Sequence, residues 1–123
     1  MACEECHRGA KREAWAGLPT LQDCMSCHAF DVTRDPDVER LREAARSGAP
    51  AQWAGLYRLA AHARFSHRAH AAKKIACKTC HDGAGARSVL LREDDRSGEV
   101  LMDWCLSCHR EKNAATDCLT CHL

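Results

Sequence analysis

Residues 105–122 read CLSCHREKNAATDCLTCH, which holds two copies of one pattern, Cys105-Leu106-Ser107-Cys108-His109 and Cys118-Leu119-Thr120-Cys121-His122. Working outward, the same pattern stands at Cys77-Lys78-Thr79-Cys80-His81, Cys24-Met25-Ser26-Cys27-His28 and Cys3-Glu4-Glu5-Cys6-His7. The five copies take all 10 cysteines, and each pair is followed at once by a histidine. With 8 His in 123 residues, five such followers arise by chance about once in a million. A disulfide framework gives no reason for a His after every second Cys. Structural zinc needs four ligands, and each copy supplies three, with the His too close for regular tetrahedral geometry. A redox-active C-x-x-C pair belongs to an α/β sheet that this chain cannot build. Covalent haem attachment accounts for all of it: two thiols add to the two vinyl groups of one haem, and the adjacent imidazole is delivered to the iron. The expected cofactors are therefore five covalently bound haem c groups. Cys3, Cys6, Cys24, Cys27, Cys77, Cys80, Cys105, Cys108, Cys118 and Cys121 would hold them, with His7, His28, His81, His109 and His122 as proximal ligands.

Composition agrees from a different direction. Among the 123 residues are 21 Ala and 10 Cys but only 18 Leu, Ile, Val and Phe together. That is about 15% of the chain, below the roughly 20% at which an ordinary globular core becomes doubtful. Disorder would also need a high net charge, and here it is +1. The macrocycles themselves are expected to be the core, in a mostly α and irregular fold of low secondary-structure content. Each oxidised haem adds about −1, iron-porphyrin +1 and two propionates −2, so the loaded protein sits near −4. Thirteen of the 18 basic residues are Arg, a side chain that pairs bidentately with carboxylates. The 18 basic and 17 acidic residues are interspersed, with no basic run to suggest nucleic acid. No stretch approaches the roughly 20 apolar residues of a transmembrane helix.

The gaps between copies are 16, 48, 23 and 8 residues. They divide the chain into a two-haem segment (1–34), a haem-free helical connector (35–61) and a three-haem module (62–123). In the connector, Asp35 as N-cap, Pro36 at the first helical position, the Val38, Leu41, Ala45 stripe and Gly48 as stop predict a helix, and Pro50 follows the break. The Trp53, Leu56, Leu59 spacing suggests a second helix over 51–61, weakened by Gly55. Val89–Leu91 and Val100–Leu101 around a turn at 94–98 suggest a short hairpin, and Gly83-Ala84-Gly85 a flexible loop.

Five haems have ten axial positions, and the motif histidines fill five. Three histidines remain, His62, His67 and His70, and each is a candidate sixth ligand because imidazole is the usual one. His67 and His70, three residues apart, project to one side of a helical turn for which Ser66 is a suitable cap. Of the methionines, Met25 is trapped inside its own motif, whereas Met102 stands three residues before Cys105 and is the thioether candidate. Nine donors then face ten positions.

Phe65-Ser66-His67-Arg68-Ala69-His70 followed by Cys77-Lys78-Thr79-Cys80-His81 resembles the F-x-H-x-x-H…C-x-x-C-H signature of the small class III multihaem cytochromes c. The resemblance covers about residues 62–122. It implies that His67 pairs with His81, His70 with His109, and Met102 with His122. Leu101 stands where all-histidine members place a ligand. A likeness over nearly the whole chain is carried by Ala16-Gly17-Leu18-Pro19, Cys24-Met25-Ser26-Cys27-His28, Trp53, the His62 to His70 stretch and Met102-Asp103-Trp104-Cys105. It looks like the pentahaem subunits of alternative complex III, a quinol-oxidising membrane assembly. Those subunits carry a further F-x-H-x-x-H before the first motif, which would supply the tenth ligand, and His62 would serve one of the two N-terminal haems.

Saturated irons leave no place for substrate, and haems this dense exchange electrons. The expected role is therefore an extracytoplasmic, periplasmic electron-transfer relay in a respiratory chain, within or next to a quinol-oxidising complex. No catalytic residue is expected. Its partners would be redox proteins or membrane-complex subunits, with neither nucleic acid nor a transmembrane segment of its own. The alternatives are a free periplasmic shuttle and a multihaem reductase with one five-coordinate haem, the second resting on the missing donor. Haem attachment takes place outside the cytoplasm, yet no signal peptide precedes Cys3. The chain is thus expected to be a processed, truncated or mis-started form of a longer product.

Overall fold

The computed structural model describes residues 1–30, 32–48, 50–53, 59–81 and 101–122. In chain order they form α1 (Cys3–Cys6), α2 (Leu21–His28), α3 (Pro36–Ser47), α4 (His67–Ala72), a 3-10 turn (Cys77–Thr79), α5 (Met102–Glu111) and α6 (Cys118–Cys121). Among the described residues there is no strand, only an isolated antiparallel bridge between Ala63 and His122. The mostly helical and irregular expectation holds. The proposed hairpin at 89–101 and the loop at 83–85 lie outside the described residues, apart from Leu101, which is irregular. Of the helix suggested over 51–61, residues 54–58 also lie outside them, and 51–53 and 59–60 are irregular.

The chain forms two compact units, neither contiguous in sequence: Met1–Trp53 with His67–Cys80, and Ala54–Ser66 with His81–Leu123. In the first, α3 packs on α2. Its sequence signals are realised as read. The Asp35 carboxylate accepts from the Asp37 amide at 2.8 Å, Pro36 opens the helix, and Gly48 closes it at φ 70°. Val38, Leu41, Ala44 and Ala45 form its half-buried side. Pro19 is the one buried residue among those described, and its carbonyl accepts from Trp53 Nε1 at 3.1 Å. We expect Asp35→Ala and Gly48→Ala each to cost about 1 kcal/mol, the first by orphaning an N-terminal amide and the second by forcing a Cβ into the left-handed region. Both should be read as faster amide exchange confined to α3.

In the second unit, α5 ends in a Schellman motif. Asn113 takes φ 52°, its amide donates to Arg110 O at 3.2 Å, and Ala114 N donates to His109 O at 2.8 Å. The first unit repeats the device after α4. There Lys74 takes φ 59°, its amide donates to Ala71 O at 2.9 Å, and Ile75 N donates to His70 O at 3.2 Å. In both places the carbonyl that receives the wrapping amide belongs to a predicted ligand histidine.

No large hydrophobic side chain is buried among the described residues. Phe30 is 85% exposed, Leu119 81%, Trp15 67% and Trp104 52%. Phe30 and Trp104 stand beside Cys-His motifs in sequence and Leu119 lies inside one, and the described residues leave all four largely uncovered.

Candidate functional site

One helical turn brings the two cysteines of a motif to the same side, because residues three apart are neighbours on a helix. The five motifs reach that turn by different means. In α1, Ala2 N donates to Glu5 Oε2 at 3.1 Å and Glu5 N to Ala2 O at 3.1 Å. In α2, a capping box forms. Asp23 N donates to Thr20 Oγ1 at 3.2 Å, and Thr20 N and Oγ1 donate to Asp23 Oδ2 at 2.8 and 2.7 Å. These bonds from Thr20, with Arg8 in an ion pair at 2.8 Å, hold the Asp23 carboxyl below its usual value. In α6, the Asp117 carboxylate accepts from Thr120 N at 3.1 Å and Thr120 Oγ1 at 2.7 Å. The third motif uses the 3-10 turn, and the fourth lies inside α5. None of the ten cysteines forms a disulfide. Burial pushes the Cys24 and Cys105 thiols up from their ordinary value.

The histidines show what such a turn is built to hold. His7 Nδ1 lies 2.7 Å from Gly17 O, and His109 Nδ1 lies 2.6 Å from Ala115 O. A carbonyl can only accept, so in both rings Nδ1 carries the proton and Nε2 presents its lone pair outward. That is the orientation in which a metal-binding imidazole is fixed by its second nitrogen. His67 is held in the same way, with Nδ1 3.0 Å from Ala14 O. His122 Nδ1 is buried with no hydrogen-bond partner among the described residues.

Loop 8–17 serves two of these rings at once. Gly9 N donates to Ala16 O at 2.9 Å and closes the loop. Gly17 O then holds His7, while Ala14 O receives both the backbone amide and the ring Nδ1 of His67, each at 3.0 Å. Glu13 O accepts the next amide of α4, from Arg68, at 3.0 Å. The start of α4 is thus capped by carbonyls from far up the chain, and the helix begins one residue after Ser66. His67 and His70 both lie on α4, within the unit that also carries the first two motifs.

His62 lies elsewhere. Its ring stacks on that of His122, with centroids 5.1 Å apart and planes at 28°. Two backbone links fasten that neighbourhood, the Ala63–His122 bridge and Arg64 N donating to Cys121 O at 2.7 Å. Met102 opens α5 and is 59% exposed. His28 closes α2, and its carbonyl receives Arg42 Nε at 3.1 Å and Nη2 at 2.9 Å. His81 directly follows the cysteines of the third motif.

The donor set therefore fits a covalent haem: two thiols on one face of a turn, then an imidazole, which at His7 and His109 has its Nδ1 tied to backbone. A bound haem would supply one-electron chemistry at iron. The motif cysteines would hold it, and the tied imidazoles would set its axial field. The sequence does not reveal the groups that do the tying. The carbonyls of Ala14, Gly17 and Ala115 belong to residues whose side chains carry no signal. Arg42 reads in sequence as one more arginine on a solvated helix face.

A family model for cytochrome c7 and related cytochromes c matches residues 63–123. The chain is 26% identical to the multiheme cytochrome c subunit of menaquinone reductase from Nitratidesulfovibrio vulgaris, over 99% of this chain and 69% of that protein. It is 37% identical to cytochrome c3 of Desulfuromonas acetoxidans, over 48% of this chain and 78% of that protein. It is also 28% identical to the high-molecular-weight cytochrome c of N. vulgaris, over 98% of this chain but 26% of that protein.

Proposed function

The chain belongs to the small multihaem class III cytochromes c, and from that footing we propose that it is a five-haem relay working outside the cytoplasm, in or beside a quinone-linked membrane complex. It is an electron-transfer protein of c type, carrying covalent haem. The number five rests on one observation above the rest. All five motifs place two cysteines and a histidine at one spacing, and in two of those histidines, His7 and His109, the ring Nδ1 donates to a backbone carbonyl. The place beside a quinone-linked complex is supported by the likeness, over 99% of this chain and 69% of that protein, to a subunit of menaquinone reductase. No described helix is long and apolar enough to cross a membrane; docking onto membrane subunits is the form of association we propose, from the likeness to a subunit of a reductase complex. The compact units do not follow the chain order, but the haems are distributed along it as we propose, two before the connector 35–61 and three within 62–123.

His67, His70 and Met102 are proposed as sixth ligands, with the two histidines fixed on the short, externally capped α4. His62 is proposed at the fifth motif, since its ring lies on His122. Two donors then compete for that iron. We expect Met102→Ala to abolish the sulfur-to-iron charge-transfer band and to lower one haem's potential, because thioether ligation raises it. An unchanged spectrum would give the position to His62.

Pyridine haemochrome analysis of the purified protein tests the count, with five haems per chain expected and four or fewer overturning it. EPR of the oxidised protein is expected to show low-spin iron throughout, which requires that the haems not served by His67, His70 and either His62 or Met102 take their sixth ligands from donors other than these. A stoichiometric high-spin signal with CO binding after reduction would instead support a reductase with one five-coordinate haem.

A further inference from the structure

We propose that Arg42, on the haem-free helix α3, is a positioning residue that orients and electrostatically tunes the haem of the second motif. The inference rests on that haem being present. The end of a helix leaves carbonyls without intrahelical partners, and the helix dipole makes them its negative pole. At the end of α2, Ala29 N donates to Met25 O at 3.1 Å and Phe30 N donates to Cys27 O at 3.4 Å. The carbonyl of His28, the residue that offers its ring to iron, is met from another element. Arg42 grips it with Nε at 3.1 Å and Nη2 at 2.9 Å.

The remaining edge of the guanidinium is held by Glu39, one turn back on α3, through Nη1. Arg42 is thus restrained from both sides, and its side chain is only 17% exposed. A planar fork is required for this, since a lysine ammonium cannot present two donors to one carbonyl at fixed angles. The grip explains why a segment without haem packs on α2: the α3 stripe brings Arg42 to the ligand histidine.

Two effects follow. The backbone of His28 is pinned, and with it the orientation of the ring. A positive charge also sits near the centre at low exposure, where it is weakly screened. Adding one electron to a haem lowers its charge by one, so a nearby cation favours the reduced form, and the Glu39 carboxylate opposes that effect.

The test is potentiometric titration of the intact loaded protein, with EPR of the oxidised form. In Arg42→Met, which keeps the apolar stem, one reduction step is expected to move to lower potential. Its electron occupancy relative to the other haems should fall about tenfold, equivalent to 59 mV for a one-electron couple. One low-spin signal should change its g values. Arg42→Lys should return the potential toward that of the parent while leaving the signal altered, because charge is kept and the fork is lost. Glu39→Gln should move the same step upward. A fully loaded Arg42→Met protein with unchanged titration and EPR overturns the proposal. If Arg42→Met fails to load the second motif, Glu39→Gln decides, and the absence of an upward shift overturns it. Mass mapping of the Cys24–Cys27 peptide in the parent protein separates the two readings: unmodified cysteines there end the five-haem count, whereas attached haem with unresponsive variants ends the role of Arg42.

Discussion

Produced without its haems, the chain is expected to show little helix and no cooperative thermal transition. The physical reason lies in the distribution of apolar surface. Burying a Leu or Phe side chain stabilises a fold by roughly 2–3 kcal/mol, and among the described residues no large hydrophobic side chain is buried by the polypeptide. The helices are short, with α1 and α6 four residues each and α4 six. Isolated helices of that length do not hold together in water, since the cost of nucleation is never recovered. Caps such as Thr20, Asp35 and Asp117 define where helices start but contribute only about 1 kcal/mol each. Haem attachment supplies what is missing. A bound macrocycle would offer an apolar surface on which exposed side chains such as Phe30, Trp104 and Leu119 could pack, and would tie the two cysteines of one turn together. Circular dichroism with a thermal ramp, on a haem-free and a loaded preparation, reads the difference. A haem-free chain that melts cooperatively would contradict the reading.

Replacing Gly9 by Val is expected to be the most damaging single change away from the Cys-His motifs. A Cβ at this position would meet Trp15 O closer than real Cβ atoms approach a backbone oxygen, and would lie 3.0 Å from Ala16 O. Those atoms are backbone and cannot swing aside, so loop 8–17 must open. The Gly9 N to Ala16 O bond is then lost, and the loop no longer presents Gly17 O to His7 or Ala14 O to His67. We expect a loss of about 2–3 kcal/mol together with altered low-spin EPR signals from two haems at once, those that would use His7 and His67. Gly9→Ala should show the same pair of changes more weakly, since it adds the same Cβ without the branch. A fully loaded Gly9→Val protein whose EPR and melting match those of the parent would show that the loop does not hold these rings.

The course of α3 was legible in residues 35–48, where cap, proline, stripe and left-handed glycine coincide within one segment. His67 and His70 on one short helix were legible as well, from their spacing of three. The position of His62 was not. Its neighbour in sequence is the F-x-H-x-x-H helix, while its ring lies on His122, and nothing local to His62 announces a partner sixty residues away. Loop 8–17 was silent too, because its working groups are main-chain carbonyls that every residue carries.

Cofactor chemistry in this protein is local: two thiols and an imidazole must sit on one turn, so the type of site and the residues that build it can be read from spacing alone. Orientation is not local. The proton on His67 Nδ1 is directed by a carbonyl 53 residues earlier, and the end of α2 is gripped by an arginine 14 residues later. Such partners meet only after the chain has folded back on itself. A backbone carbonyl leaves no trace in sequence, and an arginine on a helix surface looks the same whether it faces water or a ligand's carbonyl.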